Sequence, residues 1–231
     1  FYVAFLPGLL AVFASFLLKD KSNSEPIDKK TPSFFSFLNY WKTSPIEYKK
    51  TVIGLLAFAV FNSSDVFLLL KAKQAGLNDT YVIGIYIFYN LVYAIAALPI
   101  GILADKIGLK KMFIFGLSLF AIVYFGMAFS ENSYLIALFF FVYGVYAAAT
   151  EGVSKAWISN ICDKKDTATA IGTYSGFQSI SALMASSFAG LIWYQFGASA
   201  TFITTGIGII LVIIYFSFFM KDKIIKNDTP T

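Results

Sequence analysis

The chain has 231 residues and a net charge of +5, with 58% hydrophobic and 13% charged residues. Because a soluble domain carries about 25% charged residues, these charges are too few to cover 26 Phe and 14 Tyr side chains in water, which excludes an ordinary water-soluble domain. The absence of His excludes a histidine proton relay within the chain, and the lysines lie in loops between apolar stretches, which favours a membrane-topology signal over nucleic-acid binding.

Long apolar stretches predict transmembrane helices, because a helix needs about 20 apolar residues to cross a bilayer. Each stretch must be helical, since an unpaired backbone group in lipid costs several kcal/mol. Residues 1–18 are expected to be the end of a transmembrane helix that belongs to a missing N-terminal half. Six complete spans are predicted at 51–70, 81–104, 112–129, 134–157, 168–193 and 198–220. The sequence therefore predicts an all-α membrane protein.

The segment 19–50 is predicted to be a central loop on the cytoplasmic side of the membrane. Residues 19–30 are polar and charged, which is typical of a flexible linker. A helix start follows, with Pro32 at the first helical position. We expect a short helix near 32–42 that lies in the membrane interface; an ordinary loop is the alternative. Its apolar face would be formed by Phe34, Phe37, Leu38 and Trp41.

The distribution of lysines predicts the orientation of the spans. If 19–50 is cytoplasmic, all of the 18 basic residues except Lys71 and Lys73 fall on the same side of the membrane. This agrees with the positive-inside rule. It predicts that the tail 221–231 is also cytoplasmic, in an integral protein of a bacterial cytoplasmic membrane.

The first three spans resemble the last three. A shift of 88 residues aligns the second span with the fifth, and a shift of 86 aligns the first with the fourth. Three helices followed by three similar ones must have opposite orientations, because three is odd, and this predicts an inverted 3+3 repeat. Chance similarity between apolar helices is the alternative. The aligned pairs include Gly84 with Gly172, Tyr86 with Tyr174, Tyr89 with Phe177, Asn90 with Gln178, and Asp65 with Glu151.

Residues 101–111 read GILADKIGLKK. This segment resembles the signature loop of the major facilitator superfamily, G-x-L-a-D-r-x-G-r-k, which recurs in weaker form between helices eight and nine. Lysine replaces the usual arginine at Lys106 and Lys110. The resemblance implies a C-terminal six-helix bundle built of a 3+3 inverted repeat, with 51–220 as helices seven to twelve and 1–18 as the end of helix six.

Polar side chains on two aligned spans predict a substrate cavity. Polar groups on a lipid-embedded helix should face the bundle interior or a wet cavity, and the matching aromatic and amide residues of spans two and five would form its walls. Hydrogen bonding between helices without a cavity is the alternative. The residues assigned to the cavity are Asn62, Tyr86, Tyr89, Asn90, Tyr93, Tyr174, Phe177 and Gln178.

Asp65 is the candidate coupling residue. It lies in the sequence Asn62-Ser63-Ser64-Asp65, about two-thirds of the way along the first span. A carboxylate at that depth is costly unless it is paired, protonated or hydrated. We therefore expect Asp65 to bind a proton or another coupling cation; a carboxylate that reaches the outer vestibule or caps a helix break is the alternative.

The signature loop and the fourth span predict a cytoplasmic gate. Gly101 would allow close helix contact, Gly108 a tight turn, and Glu151 and Lys155 have the i, i+4 spacing of a helical ion pair. In sugar-porter members of the superfamily, acid–base clusters at this depth latch the gate. A lysine that reaches the lipid surface is the alternative. The residues assigned to the gate are Gly101, Asp105, Gly108, Lys110, Lys111, Glu151 and Lys155.

The resemblance implies a secondary active transporter that works by alternating access, coupled to protons or another ion. Efflux of an amphiphilic compound is favoured over uptake of a sugar-like solute, because aromatic groups outnumber hydrogen-bonding groups. The expected partners are the lipid bilayer, the substrate and the N-terminal six-helix half, and neither nucleic acid nor a cofactor is expected. No P-loop, catalytic-triad or metal-ligand pattern suggests an enzyme. A transport-inactive scaffold or sensor with the same fold is the alternative.

Overall fold

The computed structural model describes residues 36–220 and the single residue Phe13. The predicted linker 19–30, the tail 221–231 and, apart from Phe13, the predicted helix end 1–18 lie outside the described residues. A short 3-10 helix, Lys164–Asp166, precedes the last α-helix. The described α-helices are α1 (Ser36–Thr43), α2 (Ile46–Phe61), α3 (Val66–Gln74), α4 (Asp79–Ile107), α5 (Leu109–Phe129), α6 (Ser133–Ile161) and α7 (Thr167–Phe219).

The all-α membrane fold predicted from the sequence is confirmed. Among the described residues, five helical stretches are long and apolar enough to cross a membrane, the first of which combines α2 and α3. The last stretch contains α7, whose 53 residues would extend about 80 Å as one rod, far beyond a hydrocarbon core of about 30 Å. A break at Gly197, with φ 83° and ψ 176°, divides α7 into α7a (167–196) and α7b (198–219). Six spans result.

The first span is not the continuous helix over 51–70 that the sequence predicts. α2 ends at Phe61 and α3 begins at Val66, so the residues 62–65 between them are not helical. The amide of Ser63 donates to the carbonyl of Phe61 at 3.0 Å, and the amide of Ser64 donates to Oγ of Ser186 in α7a at 3.3 Å. Asn, Ser and Asp side chains compete with a helix for backbone hydrogen bonds, which explains why the break falls in this polar sequence.

The predicted helix near 32–42 overlaps α1, and its residues before Ser36 lie outside the described part. The indole of Trp41 packs edge-on against Phe177 of α7a, with ring centroids 5.6 Å apart. It also meets Tyr48 of α2 at 6.3 Å. α1 is therefore attached to the bundle by aromatic contacts; its place in the membrane interface stays a prediction.

Aromatic side chains from α2, α5, α6 and α7b form the core of the bundle. The Phe58 ring packs edge-on against Phe113 and Phe120, and Phe120 stacks on Tyr124 with centroids 4.0 Å apart. Such pairs contribute about 0.5–1.5 kcal/mol beyond the burial of their surface. In lipid, where apolar surface alone does not favour helix association, these contacts hold α2 against α5.

Candidate functional site

Asp65 lies at the break in the first span and is held by two other helices. Its Oδ2 accepts a hydrogen bond from the hydroxyl of Tyr89 in α4 at 2.7 Å. Its Oδ1 accepts one from the hydroxyl of Tyr143 in α6 at 2.5 Å. Hydrogen bonds to an ionised group are shorter and stronger than those between neutral groups, so the two phenols stabilise the carboxylate in one orientation.

Within the described part of the chain, Asp65 forms no ion pair. The ion pair found there joins Lys73 to Asp79 at 2.7 Å. The phenols that bond to Asp65 are neutral donors. The site therefore places a carboxyl group in a partly buried position, with two phenol donors and no ion pair among the described residues.

Further polar groups surround the break. Oδ1 of Asn62 accepts a hydrogen bond from the hydroxyl of Tyr146 in α6 at 3.4 Å. The side chains of Ser63 and Tyr124 lie near each other, yet neither buried hydroxyl has a hydrogen-bond partner of normal geometry among the described residues. A polar cluster thus extends from the break toward α5 and α6.

Beside Asp65, a cavity of about 490 Å³ opens between α3 and α4. Of the residues assigned to the substrate cavity from sequence, Tyr86 lines this cavity. Tyr89 is not a lining residue but donates a hydrogen bond to the lining residue Asp65. Four of its seven lining residues are aliphatic, and Asp65 is its charged member. The lining consists of Ser64, Asp65, Val66, Leu69, Val82, Ile83 and Tyr86.

The remaining residues assigned to the substrate cavity lie elsewhere. The side-chain amide of Asn90 donates to the carbonyl of Tyr86 in its own helix at 2.8 Å. On α7a, Tyr174 is 1% exposed, Phe177 packs on Trp41, and Gln178 is half-buried. The structure therefore places Tyr86 and Tyr89 of the second span near Asp65 but does not bring the fifth-span group to this cavity.

The expected ion pair between Glu151 and Lys155 is not formed in the described part of the chain. Instead, the hydroxyl of Tyr93 lies close enough to the Glu151 carboxylate to interact with it. The Lys110 ammonium group donates to the main-chain oxygen of Met220. Asp105 and Lys155 are exposed. A latch among these residues stays a prediction.

The two glycines of the signature loop behave differently. Gly108 joins α4 to α5 with φ 99° and ψ 139°, a conformation that L side chains rarely adopt, so the predicted tight turn is present. Gly101 was expected to allow close helix contact, but no described atom lies within 4 Å of the position that a Cβ would take there. Close helix contact at Gly101 therefore stays a prediction, and Lys111 beside the turn is exposed.

The close approach of α4 and α6 occurs at Gly144, one residue after Tyr143. A Cβ at Gly144 would lie 2.7 Å from the carbonyl oxygen of Tyr89 and 2.8 Å from Cβ of Val92. Only a residue without a side chain fits between these backbones. This contact sets the two tyrosines on neighbouring helix surfaces, so that both reach Asp65.

Sequence reasoning missed Tyr143 and Tyr146. Both lie on α6, one turn apart, and both bond to the break in the first span. Together with Thr150 they form a line of hydroxyls at i, i+3 and i+7 in the otherwise apolar part of α6, residues 135–150. Polar residues at that spacing in a membrane span indicate a buried face, and this signal was present in the sequence.

Similarity to known proteins agrees with the fold. The chain is 29% identical over 197 residues to an uncharacterized MFS-type transporter of Methanocaldococcus jannaschii, which covers 83% of this chain and 48% of that protein. The chain thus spans about half the length of the curated relative it matches. Residues 52–231 match the family model of the Major Facilitator Superfamily, as the resemblance of the 101–111 loop predicts. The chain therefore belongs to the major facilitator superfamily.

Proposed function

We propose that this chain is part of a secondary active transporter that exports amphiphilic molecules by alternating access, with proton coupling at Asp65. The observation that carries the proposal is the position of Asp65: it lines the cavity between α3 and α4 and accepts hydrogen bonds from Tyr89 and Tyr143. One carboxylate therefore faces the ligand space and also contacts two helices that close the site.

A change in protonation at Asp65 would alter these contacts. The ionised carboxylate accepts a hydrogen bond from each phenol, whereas a protonated carboxyl group carries a donor of its own. The phenol at the protonated oxygen then accepts from the carboxyl proton or donates to a weaker, neutral acceptor, so its hydrogen bond with Asp65 is reversed or weakened. Proton binding would change the charge of the cavity and the contact of Asp65 with α4 or α6 in the same step, which is the physical requirement for coupling.

The break at 62–65 supports the alternating-access part of the proposal. Four non-helical residues separate α2 from α3, and segments of this kind absorb the backbone changes of a hinge. α3, which supplies Leu69 to the cavity wall, could tilt about this hinge while α2 stays packed against the aromatic core. Opening and closing of the cavity would follow.

The lining favours an amphiphilic substrate over a sugar-like one. Val66, Leu69, Val82 and Ile83 offer apolar surface. A polyol would need several hydrogen-bonding groups, since each buried hydroxyl without a partner costs free energy, and Ser64, Asp65 and Tyr86 are the polar lining residues. Export would remove such compounds from the lipid or the cytoplasm.

The topology of the complete transporter completes the proposal. The N-terminal six-helix half would face this chain, the segment 19–50 and the tail 221–231 would be cytoplasmic, and the bilayer would be a bacterial cytoplasmic membrane. On the cytoplasmic side, Asp105, Lys110, Glu151 and Lys155 would form ion pairs in the outward-open state, where that gate is closed.

Flux in proteoliposomes tests the proposal. The complete transporter is reconstituted, a pH gradient is imposed, and the flux of one cationic, one neutral and one anionic amphiphile, and of maltose, is followed. Flux of an amphiphile that rises with the gradient, that is lost in Asp65→Asn and that persists in Asp79→Asn supports it; Asp79 is an exposed residue paired with Lys73. Gradient-dependent flux that is unchanged in Asp65→Asn refutes coupling at Asp65.

A further inference from the structure

We infer that the cavity beside Asp65 takes a monovalent amphiphilic cation, with its charged centre at the carboxylate and its apolar body against α3 and α4. The inference rests on the proposed transport function and specifies its substrate class. Three features of the site carry it: the charge of the lining, the material of the walls and the volume.

The cavity lining carries one carboxylate and no cation. Asp65 is the charged lining residue, and both of its oxygens already accept hydrogen bonds from neutral phenols. Of the lysines of α3, Lys73 is paired with Asp79. Lys71 is buried, at 8% exposed, and follows the lining residue Leu69 by two positions, so its side chain leaves α3 about 200° away around the helix axis. An anionic ligand would meet a carboxylate and no cation among the lining residues.

The walls suit an organic cation better than a metal ion. Tyr86 is fixed next to the Asp65 ligand Tyr89 by an edge-on ring contact with centroids 5.4 Å apart. Tyr86 lines the cavity and is 42% exposed, and a cation within about 6 Å of such a ring is attracted by its face. A metal ion such as Ca²⁺ requires six or more oxygen ligands, whereas the cavity lining is predominantly aliphatic.

The volume sets the size of the occupant. About 490 Å³ lies within the range of about 300–1,000 Å³ that small-molecule sites have in proteins. An inorganic monovalent ion would leave most of this space empty and its apolar walls without contacts. A compound with aromatic or aliphatic groups around one positive centre fills the cavity and contacts Leu69 and Ile83 while it neutralises Asp65.

Equilibrium binding of two probes of opposite charge tests the inference on the complete transporter in detergent. Tetraphenylphosphonium and tetraphenylborate have nearly the same shape, so any difference in affinity reports the charge of the site. We expect tetraphenylphosphonium to bind at least tenfold more tightly than tetraphenylborate. Equal affinities, or tighter binding of the borate, overturn the inference without reference to any variant.

Variants locate the binding. Asp65→Asn should weaken tetraphenylphosphonium at least tenfold, Asp65→Glu should retain most of the affinity, and Tyr86→Leu should weaken it by a few fold because the ring is lost and the apolar surface kept. The exposed control Asp79→Asn should bind as the wild type does. Affinity in Asp65→Asn within twofold of the wild type overturns the inference. Binding is measured without a pH gradient, so loss of proton-coupled flux in proteoliposomes does not change the binding result. Conversely, lack of selective tetraphenylphosphonium binding does not exclude proton-coupled flux of another compound.

Discussion

Replacing Gly144 by Ala tests the contact that sets the position of the site. The new methyl group would lie 2.7 Å from the backbone carbonyl of Tyr89 and 2.8 Å from Cβ of Val92. Because the first of these atoms belongs to the backbone, α4 must move as a whole to relieve the overlap. Insertion of a methyl group into such packing costs about 1–3 kcal/mol.

Gly152→Ala is the matched control for this substitution. Gly152 lies in the same helix, and no described atom is within 4 Å of the position of its added Cβ. Both substitutions gain up to about 1 kcal/mol of helix propensity, so the difference between them isolates the overlap. A further loss of about 1.5–3 kcal/mol follows if the shift of α4 breaks the hydrogen bond from Tyr89 to the charged Asp65.

Thermal unfolding of the complete transporter in detergent, followed by Trp fluorescence, measures this difference. Gly144→Ala should unfold at a lower temperature than both the wild type and Gly152→Ala, which should be as stable as the wild type or more so. The two effects separate in a Tyr89→Phe background, where Gly144→Ala should cost less, because the hydrogen bond is already absent. Equal unfolding temperatures for Gly144→Ala and Gly152→Ala refute the close approach of α4 and α6.

Two further predictions use matched pairs of the same kind. Tyr143→Phe removes a donor to Asp65 and should lower the free energy of unfolding by about 1.5–3 kcal/mol. Tyr124→Phe removes a buried hydroxyl without a hydrogen-bond partner of normal geometry and should be neutral or stabilising. The reverse order of unfolding temperatures contradicts the assigned hydrogen bonds. Gly197→Ala forces a side chain into a backbone conformation that costs about 1–3 kcal/mol. Gly172→Ala, in an open, helical part of α7a, should not destabilise the protein. Equal stability of these two variants argues against the break at Gly197.

The sequence predicts the spans well, because apolar length alone determines which segments cross a bilayer. It also predicts a boundary between the last two spans, and the break at Gly197 falls there. The break at 62–65 interrupts the continuous span that the sequence predicts, and a helix break at Asp65 was only the alternative, since averaging over about 20 residues allows a few polar ones in an apolar span. The composition Asn-Ser-Ser-Asp did indicate local competition for backbone hydrogen bonds.

The contacts between helices are the part that sequence could not supply. In a soluble helix, an apolar stripe shows which face points inward; α4 is apolar over most of its surface, and of its residues only Tyr89 and Ala104 are buried. The periodicity of apolar residues therefore does not show which side of α4 faces the other helices. For this reason Tyr143 was not identified as a ligand of Asp65, and Glu151 was matched to Lys155 by spacing although Tyr93 of another helix lies beside it.

Asp65 and Glu151, which the sequence repeat aligns, both lie next to tyrosines of α4. Tyr89 bonds to Asp65, and Tyr93, one turn or about 6 Å further along α4, lies beside Glu151. On α6, Glu151 follows the Asp65 ligand Tyr143 by eight residues, about 12 Å. Both carboxylates thus meet tyrosines of α4 along one contact, at different depths in the membrane. The two helices are in close contact at Gly144. A tilt of α4 against α6 about that contact must therefore change the surroundings of both carboxylates.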